Sequence, residues 1–312
     1  MVEENKNKEK KTRENPCTTK QSSKKRNRKE VAIFGNYRNY YGYRVGQDLE
    51  EDPRIKMLNR EWFEGKKCLD IGCNSGLITI AIAKKFCCQS ILGVDIDGDR
   101  IEDARWTLRK VVKTNAIKLP SMTPKSADVN GLQNQTTKSP TEMTLEKSID
   151  TPCLQGEDLF DIVSFQKGNF VQNWRPPEDN YDTILCLSVT KWIHLNWGDE
   201  GLITLFWKVW KLLQPVEFID FLFICFFMTY LNYAYFGQGG VFVLEPQPWS
   251  SYQNNRLVSE TAAANYKTIQ IPPQDFQDIL LDKIGFRKVE NLTSRLSGSK
   301  SGFNRPILAF WK

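Results

Sequence analysis

Lys67-Cys68-Leu69-Asp70-Ile71-Gly72-Cys73-Asn74-Ser75-Gly76 is the stretch on which the fold turns. A short apolar run ends in a glycine, a second glycine stands four residues on, and Leu77-Ile78-Thr79-Ile80-Ala81-Ile82-Ala83 follows directly. That order reads as strand, tight turn and amphipathic helix. A second apolar run, Ser90-Ile91-Leu92-Gly93-Val94, then delivers Asp95 about twenty residues after the first glycine. This is the spacing of a βαβ nucleotide-binding unit, in which glycines let backbone approach the ligand and the carboxylate takes ribose hydroxyls.

The dinucleotide fingerprint requires a third glycine so that a pyrophosphate can lie against the backbone, and Asn74 stands in that place. A nicotinamide dinucleotide is therefore disfavoured. The D-x-G-x-x-x-G loop with an acid at the next strand end resembles the S-adenosylmethionine (SAM) site of Rossmann-like methyltransferases. An ordinary strand-to-helix turn is the alternative.

The chain has 312 residues and a formal net charge of +6. Residues 1–30 hold eleven Lys/Arg against five Glu, so the charge sits in this tail and the remainder is formally neutral. Lys24-Lys25-Arg26-Asn27-Arg28-Lys29 reads as a disordered basic arm suited to nuclear import or RNA contact. No secretory apolar segment opens the chain, so a location in the nucleus, or otherwise the cytoplasm, is expected. Eight cysteines without a C-x-x-C pair, and His194 as the single histidine, indicate neither a metal cluster nor a disulfide framework. Residues 31–312 are expected to form one domain, a monomeric catalytic unit whose expected partner is RNA rather than metal or membrane.

Phe34 to Arg44 packs four tyrosines, two arginines and two glycines into eleven residues without helical or strand period. Rings that stack bases and guanidiniums that hold phosphates account for it; a packed aromatic lid is the alternative. Helices are expected over Gly76–Phe86 and from Asp99, strands over Phe160–Phe165, Tyr181–Ser188, Gly239–Glu245, Phe286–Leu292 and Pro306–Trp311. Lys191 to Trp197 is read as a loop at the ligand edge, with a helix starting at Gly198. Trp249 and Tyr252, after two prolines, are read as rigid surfaces at the same edge, and Pro272-Pro273 opens a last helix. The fold class is α/β, a doubly wound, mostly parallel seven-stranded sheet of the Rossmann-like class I methyltransferase type.

Two segments fit no element. Residues 115–157 are rich in Ser, Thr, Lys, Pro, Asn and Gln and read as a disordered insertion. Val216 to Gln238 is apolar yet separates Leu212-Leu213-Gln214-Pro215 from Gly239-Gly240-Val241, where two to six residues suffice. Asp220, Thr229 and Asn232 count against a membrane span. The favoured reading is a retained T-rich intron or gene-model error, because Val can begin with GT, Gln can end with AG, and Phe, Leu, Ile and Tyr codons are T-rich.

Four blocks carry a specific resemblance: Asn36-Tyr37-x-x-Tyr40-Tyr41-Gly42-Tyr43-Arg44, Leu69-Asp70-Ile71-Gly72-Cys73-Asn74, Leu185 through Gly201, and Leu244-Glu245-Pro246-Gln247-Pro248-Trp249-Ser250-Ser251-Tyr252. Together they resemble the Bicoid-interacting, methylphosphate capping enzyme family of RNA methyltransferases over about residues 34–312, the two insertions apart. The resemblance implies SAM-dependent methylation of the 5′-terminal phosphate of a small noncoding RNA. It further implies that Tyr41, Arg54, Gly72, Cys73, Asn74, Asp95, Ile96, Asn169, Phe170 and Leu187 line the cofactor site. Tyr40, Arg44 and Lys191 would act at the RNA 5′ end. Phe170 replaces a tyrosine common in the family, keeping the ring and losing a hydroxyl. A methyltransferase of small molecules or proteins, and a non-catalytic RNA-stabilising protein using the same cleft, are the alternatives.

Overall fold

The computed structural model describes residues 32–38, 40, 52–118, 159–215, 239–295 and 305–312, and Ala32–Lys312 form one compact unit. The basic tail, most of the expected 115–157 insertion and all of 216–238 lie outside the described residues, as do Tyr41 and Arg44.

Seven strands make one sheet in the order β3-β2-β1-β4-β5-β7-β6. They are β1 Lys67–Ile71, β2 Ser90–Asp95, β3 Val163–Lys167, β4 Thr183–Leu187, β5 Val241–Glu245, β6 Lys288–Asn291 and β7 Leu308–Trp311. The first five run parallel, and β7 pairs antiparallel with both β5 and β6. The central strands are short apolar runs because both faces are covered. Alternation assigns their side chains: Cys68, Leu185 and Val243 pack to one face, Leu69, Ile184 and Phe242 to the other.

The first face is closed by α1 Pro53–Met57, α2 Leu77–Phe86 and α3 Gly98–Lys118, through Ile55, Ile78, Ile82, Ile101 and Leu108. A four-residue turn, α4 Leu159–Ile162, precedes β3, so that strand begins three residues later than its sequence suggests. The second face is closed by α5 Thr190–Leu212 and the helical segment Pro273–Ile284, through Leu202, Phe206, Phe276 and Leu280. Residues 191–197, expected as a loop, are the first turns of α5; the predicted start at Gly198 is a break within it, where φ is 63° and ψ −165°. Two further helices, α6 Trp249–Asn255 and α7 Glu260–Thr268, flank the amino half of α5. Sheet order reverses between β1 and β4, and the crevice outside their carboxyl ends is where such sheets bind ligands.

Candidate active site

The segments that follow β1 to β4 enclose a cleft of about 900 Å³, open solvent included. Asp70, Ile71, Gly72 and Asn74 form its floor, Asp95 and Ile96 one side, and Gly168, Asn169, Phe170 and Val171 the next. Leu187, Ser188, Val189, Trp192, Ile193 and Trp197 form the opposite wall. Phe34, Gly35, Asn36 and Tyr40 lie across the opening. A cleft of this size, apolar with a few convergent polar groups, suits a small organic ligand.

Gly72 and Gly76 both have positive φ, 74° and 72°. A Cβ on Gly72 would stand 2.4 Å from Val189 Cγ2, and one on Gly76 would stand 2.5 Å from Phe165 Cζ. The glycines thus let the loop after β1 pack against its neighbours, and only Gly72 also lines the cleft. Cys73 donates its backbone N–H to Val94 O (3.1 Å) while its side chain is buried in the core with the α2 residues, away from the cleft.

Two carboxyls are buried in the floor. Asp95 accepts the backbone N–H groups of Asn74 and Asp97, each at 2.9 Å. Burial raises its pKa despite those hydrogen bonds. Asp70 accepts from Thr79 Oγ1 at 2.6 Å, and burial pushes its pKa up to about 6 against that bond and the nearby Arg54. Each Asp95 oxygen takes one backbone donor and keeps acceptor capacity, the chemistry that a ribose diol needs.

Arg54 lines the cleft, but its guanidinium holds two carboxylates: Asp52 through Nε (3.0 Å) and Nη2 (2.7 Å), and Glu245 through Nη1 (3.0 Å). Ser188 Oγ donates to the same Glu245 Oε2 at 2.6 Å. This buried network locks α1 to the ends of β4 and β5, so Arg54 serves the site by fixing its frame.

Lys191 does not line the cleft. Its Nζ donates to Ser251 Oγ at 3.0 Å and lies 4.1 Å from the centroid of the Trp192 ring, whose indole does line it. Burial, and then the neighbouring Arg305, push the Lys191 pKa down to about 7.

The aromatic span across the opening is tied to the body at several points. Phe34 stacks on Trp197 at 5.8 Å, Asn196 Nδ2 donates to Ile33 O at 2.9 Å, and Asn36 Nδ2 donates to Asp97 Oδ2. Phe170 stacks on Trp174 at 5.1 Å, and Lys208 Nζ donates to the carbonyls of Phe170 (2.9 Å) and Val171 (3.2 Å).

Of the residues expected at the site, Tyr40, Arg54, Gly72, Asn74, Asp95, Ile96, Asn169, Phe170 and Leu187 come together around the cleft. Cys73 and Lys191 stand behind it. Sequence reading passed over Asp70, although D-x-G places an acid at a strand end, and over Trp192 and Trp197, because their helix was read as a loop. His194 is fully buried, Nε2 to Asp199 Oδ1 (2.6 Å) and Nδ1 to the Tyr252 hydroxyl (3.3 Å), which makes it a structural link. Tyr252, expected as a surface, is fully buried, with Trp249 stacked on it at 5.1 Å. Among the described residues, no group of three His, Cys, Asp or Glu could hold a metal ion, and no helix is long and apolar enough to cross a membrane.

Residues 181–312 match the family described as Bicoid-interacting protein 3 (Bin3), and residues 47–200 match a methyltransferase domain. The chain is 54% identical over 289 residues to an Arabidopsis thaliana protein named "Probable RNA methyltransferase", covering 92% of this chain and 83% of that one. It is 31% identical over 282 residues to the Drosophila melanogaster U6 snRNA methylphosphate capping enzyme Amus, covering 89% and 74%. With the Homo sapiens 7SK snRNA methylphosphate capping enzyme it shares 36% over 298 residues, 89% of this chain but 39% of the human one.

Proposed function

The chain belongs to the Bicoid-interacting protein 3 family and has a class I, Rossmann-like methyltransferase fold; from that premise we propose that it methylates the 5′-terminal phosphate of a small noncoding RNA, using SAM. The observation that carries this reading is the pairing of a buried-carboxyl cleft at the β1/β4 switch point with a buried lysine beside it.

The cleft fits SAM by the chemistry of its donors and acceptors. Asp95 would take the ribose hydroxyls, Asn74 and Asn169 would offer amides, and Ile96, Phe170 and Leu187 would give apolar surface. Asp70 would face positive charge. When bound, SAM supplies an electrophilic methyl group on a sulfonium. A phosphate oxygen is anionic at neutral pH, so the protein has to align it more than deprotonate it. Lys191, behind Trp192, would fix a neighbouring oxygen and leave the attacking one unblunted. Tyr40, at the opening, would face the RNA end; the same role is proposed for Arg44, and a cofactor role for Tyr41. The basic residues 1–30 would favour RNA and a nuclear location.

The test is methyl transfer from labelled SAM to matched RNAs with 5′-triphosphate, monophosphate and hydroxyl ends. Label on the phosphorylated RNAs alone is expected, and label on the hydroxyl RNA, or on none of the three, refutes the reading. Lys191→Ala should lose transfer while keeping SAM affinity. A large fall in SAM binding instead would remove Lys191 from the RNA side.

A further inference from the structure

Helix α5 starts without a cap of its own. Its N-cap is Val189, whose side chain accepts nothing, and the first N–H groups of a helix need acceptors from elsewhere. One comes from the segment that follows β5. Gln247 Oε1 accepts the Lys191 backbone N–H and the Thr190 hydroxyl, each at 3.1 Å, and Gln247 Nε2 donates to Ser188 O. The side chain is 2% exposed, and its amide has one possible orientation, because Ser188 O can only accept and the Lys191 N–H can only donate. An ionised carboxylate in its place would lack the donor, and an apolar chain would lack both groups.

The turn that Gln247 grips is strained and faces the cleft. Ser188 has a φ of 65°, in the left-handed region that a side chain disfavours, and such a backbone persists only where its surroundings hold it. Its N–H is held by Glu245 O at 3.0 Å and its carbonyl by Gln247, so the residues on either side of Pro246 fix both peptides of the strained position. Pro246 and Pro248 in turn restrict the backbone around Gln247 and limit how far its amide can drift. Ser188, Val189 and Trp192 line the cleft and Lys191 stands behind the Trp192 ring, whereas Gln247 is not among the lining residues.

We propose that Gln247 is a positioning residue for methyl transfer: by holding the backbone of 188–191 from the exit of β5, it sets the direction in which α5 leaves β4, and with it the place of the Lys191 ammonium and the Trp192 indole. It acts through that turn and touches neither cofactor nor RNA. Its part in the reaction rests on the 5′-phosphate methyltransferase reading; its hold on the turn does not.

Gln247→Met keeps the length and removes both the donor and the acceptor; Gln247→Glu keeps the acceptor for Lys191 and Thr190. Wild type and both variants are compared by methyl transfer to 5′-phosphorylated RNA at saturating SAM, by SAM affinity, and by hydrogen exchange over residues 188–192 in the S-adenosylhomocysteine-loaded protein. In Gln247→Met, kcat should fall about tenfold or more while SAM affinity changes by less than about threefold. Exchange over 188–192 should quicken in this variant while that over β1 stays unchanged. Gln247→Glu should lose only about threefold in kcat and keep most of the protection, since the cap on α5 survives. A role confined to folding would lower Tm and leave the kcat of the folded, SAM-loaded protein at the wild-type value. Wild-type kcat in either variant, or a fall in SAM affinity as large as the fall in kcat, therefore overturns the positioning role; if Gln247→Met does not fold, Gln247→Glu alone decides. If wild type methylates no RNA, the functional reading falls by itself, and unchanged exchange over 188–192 in the variants would then overturn the grip of Gln247 on the turn.

Discussion

Asp70 closes an apolar strand with a carboxyl that is 3% exposed, and its environment sets a testable pH response. Its pKa rises from an ordinary carboxylate value to about 6, burial outweighing Thr79 and Arg54. A group raised in this way helps folding fully only below its unfolded pKa, and that help is lost as pH rises through about 6. Ligand-free Asp70→Asn should therefore be more stable than wild type at pH 8, by about 3 kcal/mol, with the gap closing by about pH 4. Denaturant unfolding at both pH values measures it. A sulfonium ligand favours the ionised carboxylate, so wild-type SAM affinity should climb with pH through about 6 while the Asn variant stays flat. A flat wild-type titration would take Asp70 out of the ligand's surroundings. At this scale the sequence was informative where backbone chemistry announces itself, as at Gly72, Asn74 and Asp95. It was silent on direction: nothing in the order of residues says that Cys73 turns into the core, or that Lys191 sits behind an indole.

Among the elements, α5 carries most of what sequence reading missed. Gly198-Asp199-Glu200-Gly201 resembles a helix start after a loop, whereas the helix already runs from Thr190 and breaks at Gly198 before continuing. Helical spacing then places Trp192 and Trp197 at the cleft and His194 inward. The continuation of α5 also holds the opposite wall, because Lys208 Nζ caps the carbonyls of Phe170, Val171 and Gln172 at 2.9, 3.2 and 3.3 Å. Lys208→Met would leave these acceptors without their shared donor and free the turn that presents Asn169 and Phe170. SAM affinity should fall by about threefold to tenfold, the net worth of roughly one ordinary hydrogen bond, since the lost contacts act through the turn rather than on the ligand. Hydrogen exchange at Gln172 and Trp174, whose amides bond Asn169 O, should quicken while that at β1 does not. Unchanged exchange there would show that Phe170 stacking on Trp174 is enough to hold the turn.

Across the whole molecule, the sheet separates its chemistry from the joint that flanks residues 216–238 in sequence. The cleft occupies the carboxyl ends of the strands, while the joint between α5 and β5 lies at the amino ends, where Tyr181, Gln214 and Gly240 meet. The strands and their polarity were legible because short apolar runs alternating with helices permit few arrangements. Val216–Gln238 had no place in that scheme, and it lies outside the described residues. Its two flanks are in contact. Gln214 N–H donates to Tyr181 O at 2.8 Å, Gly240 N–H donates to Gln214 O at 3.0 Å, and Lys312 N–H donates to Gly240 O at 3.1 Å. Without residues 216–238, Gln214-Pro215-Gly239-Gly240 would be four consecutive residues, and the Gly240-to-Gln214 bond would be the first-to-fourth bond of a β-turn. Proline second and glycine third is the sequence such a turn favours, glycine accepting the positive φ of a type II turn. Deletion of 216–238 should therefore close the joint with the hydrogen bonds it already has. The shortened protein should unfold in one cooperative transition, at a Tm no more than about 4 °C below that of the full chain. Its SAM affinity should stay within about twofold, since the cleft is at the other edge of the sheet. A shortened chain that is insoluble, or that melts well below the full one, would mean that the 23 residues supply packing the fold requires.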